Sequence, residues 1–142
     1  MGFTIAWDNA EHTILRVTYD ERWELQDFRF SASEAYEMIK SVVQPVNVIL
    51  DLSWSNKMPD GFSSAIREVN RDMPQNTGRI FLVQRSSFVE IMVNAMSKLV
   101  RGQRRPFTMV HTLSEARRLA AVPCEPGKSP TEKPALNEET RR

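Results

Sequence analysis

Three residues of this chain combine a reactive type with a telling position. Asp51 closes the run Val46-Asn47-Val48-Ile49-Leu50-Asp51-Leu52, Arg85 follows Ile80-Phe81-Leu82-Val83-Gln84, and His111 follows Phe107-Thr108-Met109-Val110. A carboxylate at the end of a parallel strand can bind a ligand or act as a base. It can also simply hydrogen-bond the amides of its own loop, as Asp commonly does. Arg85 would add a fork-shaped donor, so the three would suit an anionic ligand if the fold gathers them. His12, the only other histidine, begins an early strand on the opposite rim. Two histidines so far apart have no metal-ligand spacing, and no metal site is expected.

The remaining chemistry is mostly excluded. Glycines stand at 2, 61, 78, 102 and 127, so neither a dinucleotide-binding glycine fingerprint nor a phosphate-binding P-loop can be built. There is no G-x-S-x-G nucleophile elbow. An enzyme using Asp51 and His111 would have no recognisable nucleophile, so it is the weakest reading. No enzymatic activity and no cofactor are expected. Cys124 is the only cysteine, so an internal disulfide and a multi-cysteine zinc site cannot form.

The elements that must position these residues follow from hydrophobic period. Phe3 to Trp7 and Thr13 to Tyr19 read as a β-hairpin turning at Asp8-Asn9-Ala10-Glu11. Ile14, Arg16 and Thr18 make one face of its second strand only partly apolar, as near a sheet edge. Leu25, Phe28, Ala32, Ala35, Tyr36, Ile39, Val42 and Val43 recur at helical spacing, and Pro45 stops that helix. The run 46–52 is short, apolar and β-branched, which predicts a strand buried on both faces of a parallel sheet. A second helix opens at Pro59 or Asp60 and carries Phe62, Ile66, Val69 and Met73. Arg79 to Gln84 is another buried strand. Ser87 to Glu90 has capping-box form and predicts a helix over about 88–100. Phe107 to His111 is a last strand, and Thr112-Leu113-Ser114-Glu115 starts a final helix. The order is β-β-α-β-α-β-α-β-α, and right-handed crossovers put the loops after Leu52, Gln84 and His111 on one rim.

Length and charge bound the rest. The 142 residues, 41% apolar, fit one domain over 1–122. Residues 123–142, with prolines 123, 126, 130 and 134 among polar neighbours, predict a disordered tail. The net charge of +1 creates no global field toward nucleic acid or membrane. The charge is uneven: residues 1–37 hold eight acids and three bases, residues 98–118 six bases and one acid. Lys98, Arg101, Arg104 and Arg105 read as a solvated turn, and nucleic-acid binding is not expected. No signal peptide and no apolar run of the ~20 residues needed to span a bilayer are visible. A soluble, cytoplasmic protein is the expectation.

The stretches 46–53, Met58-Pro59 opening a helix, 79–83, Ser87-Phe88-Val89 and 112–116 resemble, in order and spacing, the STAS superfamily over residues 3–121. Within it the chain is most similar to the SpoIIAA-like group, related in fold to CRAL-TRIO lipid-binding domains. The resemblance implies an α/β fold with a mixed, mostly parallel sheet of about five strands flanked by four helices. It also implies a non-enzymatic regulatory module resembling anti-sigma-factor antagonists. In those proteins an Asp-Ser pair at a helix start carries a phosphorylated serine, where helix amides and dipole favour the phosphate. This sequence has Pro59-Asp60-Gly61 there, with Asp60 as a fixed negative charge in the serine's stead. Ser53, Ser55, Ser63 and Ser64 are the remaining candidate acceptors.

The expected binding residues are Asp51, Ser53, Trp54, Asp60, Phe62, Arg85 and His111. Trp54, Met58 and Phe62 are read either as a docking patch or as cover for the sheet end. The helix at 88–100 is apolar beyond one stripe. It is read as deeply buried, or else as a self-association face that would make a homodimer. A protein partner is expected at the 53–64 loop. The alternative, implied by the CRAL-TRIO relationship, is a carrier for a small apolar ligand or lipid.

Overall fold

Apolar residues at every second position of Phe3-Thr4-Ile5-Ala6-Trp7 and of Leu15-Arg16-Val17-Thr18-Tyr19 make two strands, β1 (Phe3–Trp7) and β2 (Ile14–Tyr19). They pair antiparallel, Phe3 opposite Tyr19 and Trp7 opposite Leu15. The structure, a computed structural model, describes residues 2–55, 59–85 and 107–122, with the backbone alone at Ser63 and Phe107. Asn9 organises the hairpin turn. Its Oδ1 accepts the N–H groups of Thr13 (3.0 Å) and Ile14 (3.2 Å). His12 lies in that turn rather than in the strand, at φ 58°, with its ring stacked on Trp7 at 4.4 Å. Histidine enters this left-handed region more readily than most residues.

Helix α1 (Leu25–Lys40) follows, with the Glu24 N–H donating to Asp27 Oδ2 at 2.8 Å at its start. It ends before Val42 and Val43, which periodicity assigned to it. The chain turns there to feed the next strand, leaving Val43 in solvent. Asn76 Nδ2 holds this connection by donating to the carbonyls of Ile39, Val42 and Gln44.

The stretch 46–52 is the expected buried strand, β3 (Val46–Asp51). Helix α2 (Phe62–Arg71) begins later than Pro59 or Asp60, because Gly61 precedes it at φ 83°, outside helical space. Then come β4 (Thr77–Val83), β5 (Phe107–Val110) and α3 (Leu113–Ala120). The Thr112 signal is used as read: Thr112 Oγ1 accepts the Glu115 N–H at 3.1 Å. Glu115 reaches back one residue further than in a capping box, to the His111 N–H.

The sheet order is β1-β2-β3-β4-β5, with β1 antiparallel and the other neighbours parallel. The fold is thus α/β, with a five-stranded, mixed, mostly parallel sheet and three helices among the described residues. The expected helix at 88–100, the basic cluster, Met58 and the tail from 123 onward lie outside the described residues.

Among the described residues, helices pack on both faces of the sheet. Helices α1 and α2 bury Val17, Tyr19, Val48 and Leu82 on one face. Helix α3 packs across β3, β4 and β5 on the other, over Ile49, Phe81, Val83 and Val110. Asn47 fastens this second layer: its Nδ2 donates to the Ala120 carbonyl (2.9 Å) and its Oδ1 accepts the Arg79 N–H (2.8 Å). The β3–β4 register shifts between Val46 and Val48, and Gly78 sits in that bulge. A Cβ there would lie 2.3 Å from Asn47 Oδ1, so any side chain would displace Asn47 from these bonds.

Because β2 to β5 run parallel, their C-terminal ends share one rim. The loops after Asp51, Gln84 and Val110 lie there as expected. The loop after Tyr19, which sequence reading left out, lies there too.

Candidate functional site

Asp51 is buried (5% exposed) and its Oδ1 accepts both the Ser53 N–H (3.0 Å) and the Ser53 hydroxyl (2.6 Å). This is the loop-capping role of an aspartate at a strand end. The next anchor is Ser55, whose Oγ accepts the indole N–H of buried Trp23 at 2.8 Å. The Ser55 N–H also donates to the Leu52 carbonyl at 3.0 Å. Trp54, held between these two anchors, is 65% exposed. A tight turn fixed at both sides therefore presents one large aromatic side chain to solvent.

Two of the expected roles are overturned by burial. Phe62 is 4% exposed and meets Trp23 at 5.5 Å and Phe28 at 4.9 Å between ring centres, both edge-on. It belongs to the core under α1 and α2, because α2 begins at Phe62 and turns its first apolar position inward. Ser55 is 3% exposed with its hydroxyl engaged by Trp23, so it is no accessible phosphate acceptor. Ser53 is half-buried, and a phosphate on it would lie against the Asp51 carboxylate. Ser64 is exposed on α2, Ser63 lies on the same helix, and Asp60 is exposed just before it.

Arg85 and His111 are exposed at the ends of β4 and β5, on the same rim as Asp51. Among the described residues no hydrogen bond or ion pair joins Asp51, Arg85 and His111. The topology gathers them to one border, but they do not close into a cluster.

The rim beside Trp54 carries residues that sequence reading passed over. A depression of about 290 Å³ is walled by Trp54, Phe3, Thr4, Thr18, Asp20 and Glu21. Both acids are exposed, and among the described residues neither is in an ion pair. Asp20 Oδ1 accepts the Arg22 N–H at 3.0 Å, which fixes the turn. The available signal was the parallel pairing of β2 with β3, which sends the residues after Tyr19 to Asp51's rim.

A second polar group joins the hairpin turn to α3. Asp8 accepts a fork from Arg117, Nε to Oδ2 at 2.8 Å and Nη2 to Oδ1 at 2.9 Å, and Arg16 Nε reaches the same Oδ1 at 2.8 Å. Arg16 Nη1 donates on to Thr18 Oγ1 at 3.0 Å. The hydrogen bond from Arg117, with help from Arg16, holds the Asp8 carboxyl below its ordinary range despite partial burial. The same hydrogen bond raises Arg117, with a smaller attraction from Asp51. This arrangement clips the hairpin turn to α3 and is structural in kind. On the other face, burial pushes the Tyr19 phenol up, and its hydroxyl pairs with Ser31 Oγ at 2.7 Å.

Between the sheet and helices α1 and α2 there is a cavity of about 50 Å³, lined by Val17, Phe28, Ile39, Leu50, Ile66 and Met73 among others. Its walls are almost wholly apolar. Among the described residues no group of three or more His, Cys, Asp and Glu side chains converges on a metal-sized point, and no helix is long and apolar enough to cross a membrane. Comparison of the chain with protein-family models, with curated proteins and with solved structures returned no match.

Proposed function

We propose that this chain is a non-enzymatic regulatory module of STAS, SpoIIAA-like type that docks a protein partner on the C-terminal rim of its sheet. The observation that carries the reading is Trp54, 65% exposed on a loop fixed by Asp51–Ser53 on one side and Trp23–Ser55 on the other. A solvent-exposed Trp costs free energy as apolar surface and is the residue type most enriched among binding hot spots. Holding it rigidly lowers the ordering cost of association. The β-β-α-β-α-β order is that of the proposed family, and Asp51 serves the loop rather than standing free as a base. The docking residues are then Ser53, Trp54 and Asp60, with Asp51 positioning the loop and Arg85 and His111 further along the same border.

The test replaces Trp54 by a photo-crosslinking residue to identify the partner, then measures Trp54→Ala against that purified partner by calorimetry. Affinity should fall at least about tenfold, the loss of one hot-spot side chain, while thermal unfolding stays unchanged. Equal affinity for the two forms would refute the docking surface.

The apolar cavity under α1 and α2 favours a second reading, a carrier of a small apolar ligand. At about 50 Å³ it holds a molecule of a few heavy atoms, and a lipid chain would require the helices to part. Native mass spectrometry of gently purified protein decides it: a stoichiometric added mass supports the carrier, and a bare-chain mass removes it.

A further inference from the structure

We infer that the depression between Trp54 and the β1–β2 end is a receptor for a cationic side chain, a lysine or arginine of the protein partner. The inference rests on the docking reading above and names the chemistry of what docks.

Three observations meet there. The first is shape: about 290 Å³ lies at the small end of ligand clefts, room for one long side chain rather than a cofactor. The second is the aromatic wall. Trp54 presents an indole that no cation covers among the described residues, where the cation–ring contact is Arg79 over Phe81. Indole is the strongest of the aromatic partners for an ammonium or guanidinium group. The third is charge. Asp20 and Glu21 wall the same depression without ion-pair partners among the described residues. Glu24 and Asp27 follow at the start of α1, and Asp51 lies opposite Thr18 in the sheet register. Arg16 reaches the wall at Thr18 but its charge is paired with Asp8 at 2.8 Å, and Arg85, exposed after β4, is two strands further along, about 10 Å at the usual spacing. Arg22 is the one base within the acidic turn, and it does not wall the depression.

Among the described residues the rim is therefore polarised, acidic and aromatic toward β1 and β2, with Arg85 as the exposed base toward β4. An anionic partner would be repelled where Trp54 stands. A cation would find two carboxylates, an indole face and the hydroxyl of Thr4, while the Thr18 hydroxyl is held by Arg16. Desolvation of the long aliphatic stem of lysine or arginine against Phe3 and Trp54 would add to the contact.

The experiment follows the Trp54 indole N–H and the Asp20 and Glu21 amides by ¹H–¹⁵N NMR in the full chain. The probes are a blocked tri-arginine peptide and a blocked tri-glutamate peptide. Tri-arginine should shift these signals saturably and tri-glutamate should not. D20N/E21Q should weaken tri-arginine by roughly tenfold, the factor that two exposed charge contacts of ordinary size give together. Asparagine at 20 keeps the acceptor for the Arg22 N–H, so the turn survives and the variant reads charge alone. Saturable shifts centred elsewhere, equal response to tri-glutamate, or unaltered affinity in D20N/E21Q would overturn the inference. If W54A lost the protein partner while D20N/E21Q kept it, the cation receptor would fall and the docking surface would stand. If tri-arginine bound as described while W54A kept full affinity for the protein partner, the docking reading would fall and the receptor would stand.

Discussion

Replacing Asp8 by asparagine removes the single negative charge on which Arg16 and Arg117 converge. Asp8 receives three charge-assisted hydrogen bonds of 2.8–2.9 Å and its side chain is 5% exposed. Such bonds contribute roughly 1.5–3 kcal/mol each when fully buried. Here the partners are wet, Arg16 at 29% and Arg117 at 48% exposed, so each falls toward the ~1 kcal/mol of surface pairs. Together they set a cost of about 2–3 kcal/mol for Asp8→Asn. Urea unfolding at pH 7 should show it as a lower midpoint at constant slope. Arg117→Ala should cost less, because Arg16 still neutralises Asp8, and the double variant should fall about 1 kcal/mol short of additivity. The pH dependence has a fixed sign. The Arg117 hydrogen bond lowers the Asp8 carboxyl in the folded chain, so on acidification the unfolded chain takes up its proton first. The contribution is complete above the unfolded value near 4 and is lost as pH falls through the folded one. The gap between wild type and variant should narrow below about pH 4. A cost under about 0.5 kcal/mol at pH 7, or an equal gap at pH 7 and pH 3, would refute this account of the clip.

Other substitutions test the positioning of the rim. Gly78→Ala puts a methyl against Asn47 Oδ1 and should cost about 2–4 kcal/mol by breaking the buried hydrogen bond to Ala120 and the partly buried one to Arg79; adding Asn47→Ala should then cost far less than in wild type, read by the same urea series. Ile49→Asp buries a carboxylate at a fully covered site and should cost at least about 4 kcal/mol, seen as loss of the cooperative thermal transition. Phe62→Ala should cost about 3–5 kcal/mol, whereas Trp54→Ala should leave calorimetric unfolding within about 0.5 kcal/mol of wild type. The reverse ranking would mean that Trp54 is a core residue.

The chain reveals its elements more plainly than their ends and contacts. β3 could be read because β-branched residues on both faces admit almost no other element, and α3 because Thr112 and Glu115 form a local cap. The end of α1 could not: Val42 and Val43 keep the helical period, and only the tertiary bonds from Asn76 show the chain turning before them. Trp54 and Phe62 looked alike in sequence, two aromatics flanking one loop. What separates them is Trp23 and Phe28, which fill the space beside Phe62 from a distant helix and its approach. The Asp8–Arg117 fork spans 109 positions and has no local signature. Asp20 and Glu21 were within reach. The parallel pairing of β2 with β3 was implied by the β-β-α-β order, and it carries the acidic turn to the rim.

A hydrogen-exchange footprint of the unaltered chain with its purified partner bound tests whether the partner seats on the C-terminal rim of the sheet. Slowed exchange should concentrate in residues 20–22, 52–55 and 60–62, at the C-terminal ends of β2 and β3 and the start of α2, with the hairpin turn at 8–13 unchanged. Protection confined to that turn and the end of α3, on the opposite border of the sheet, would contradict it.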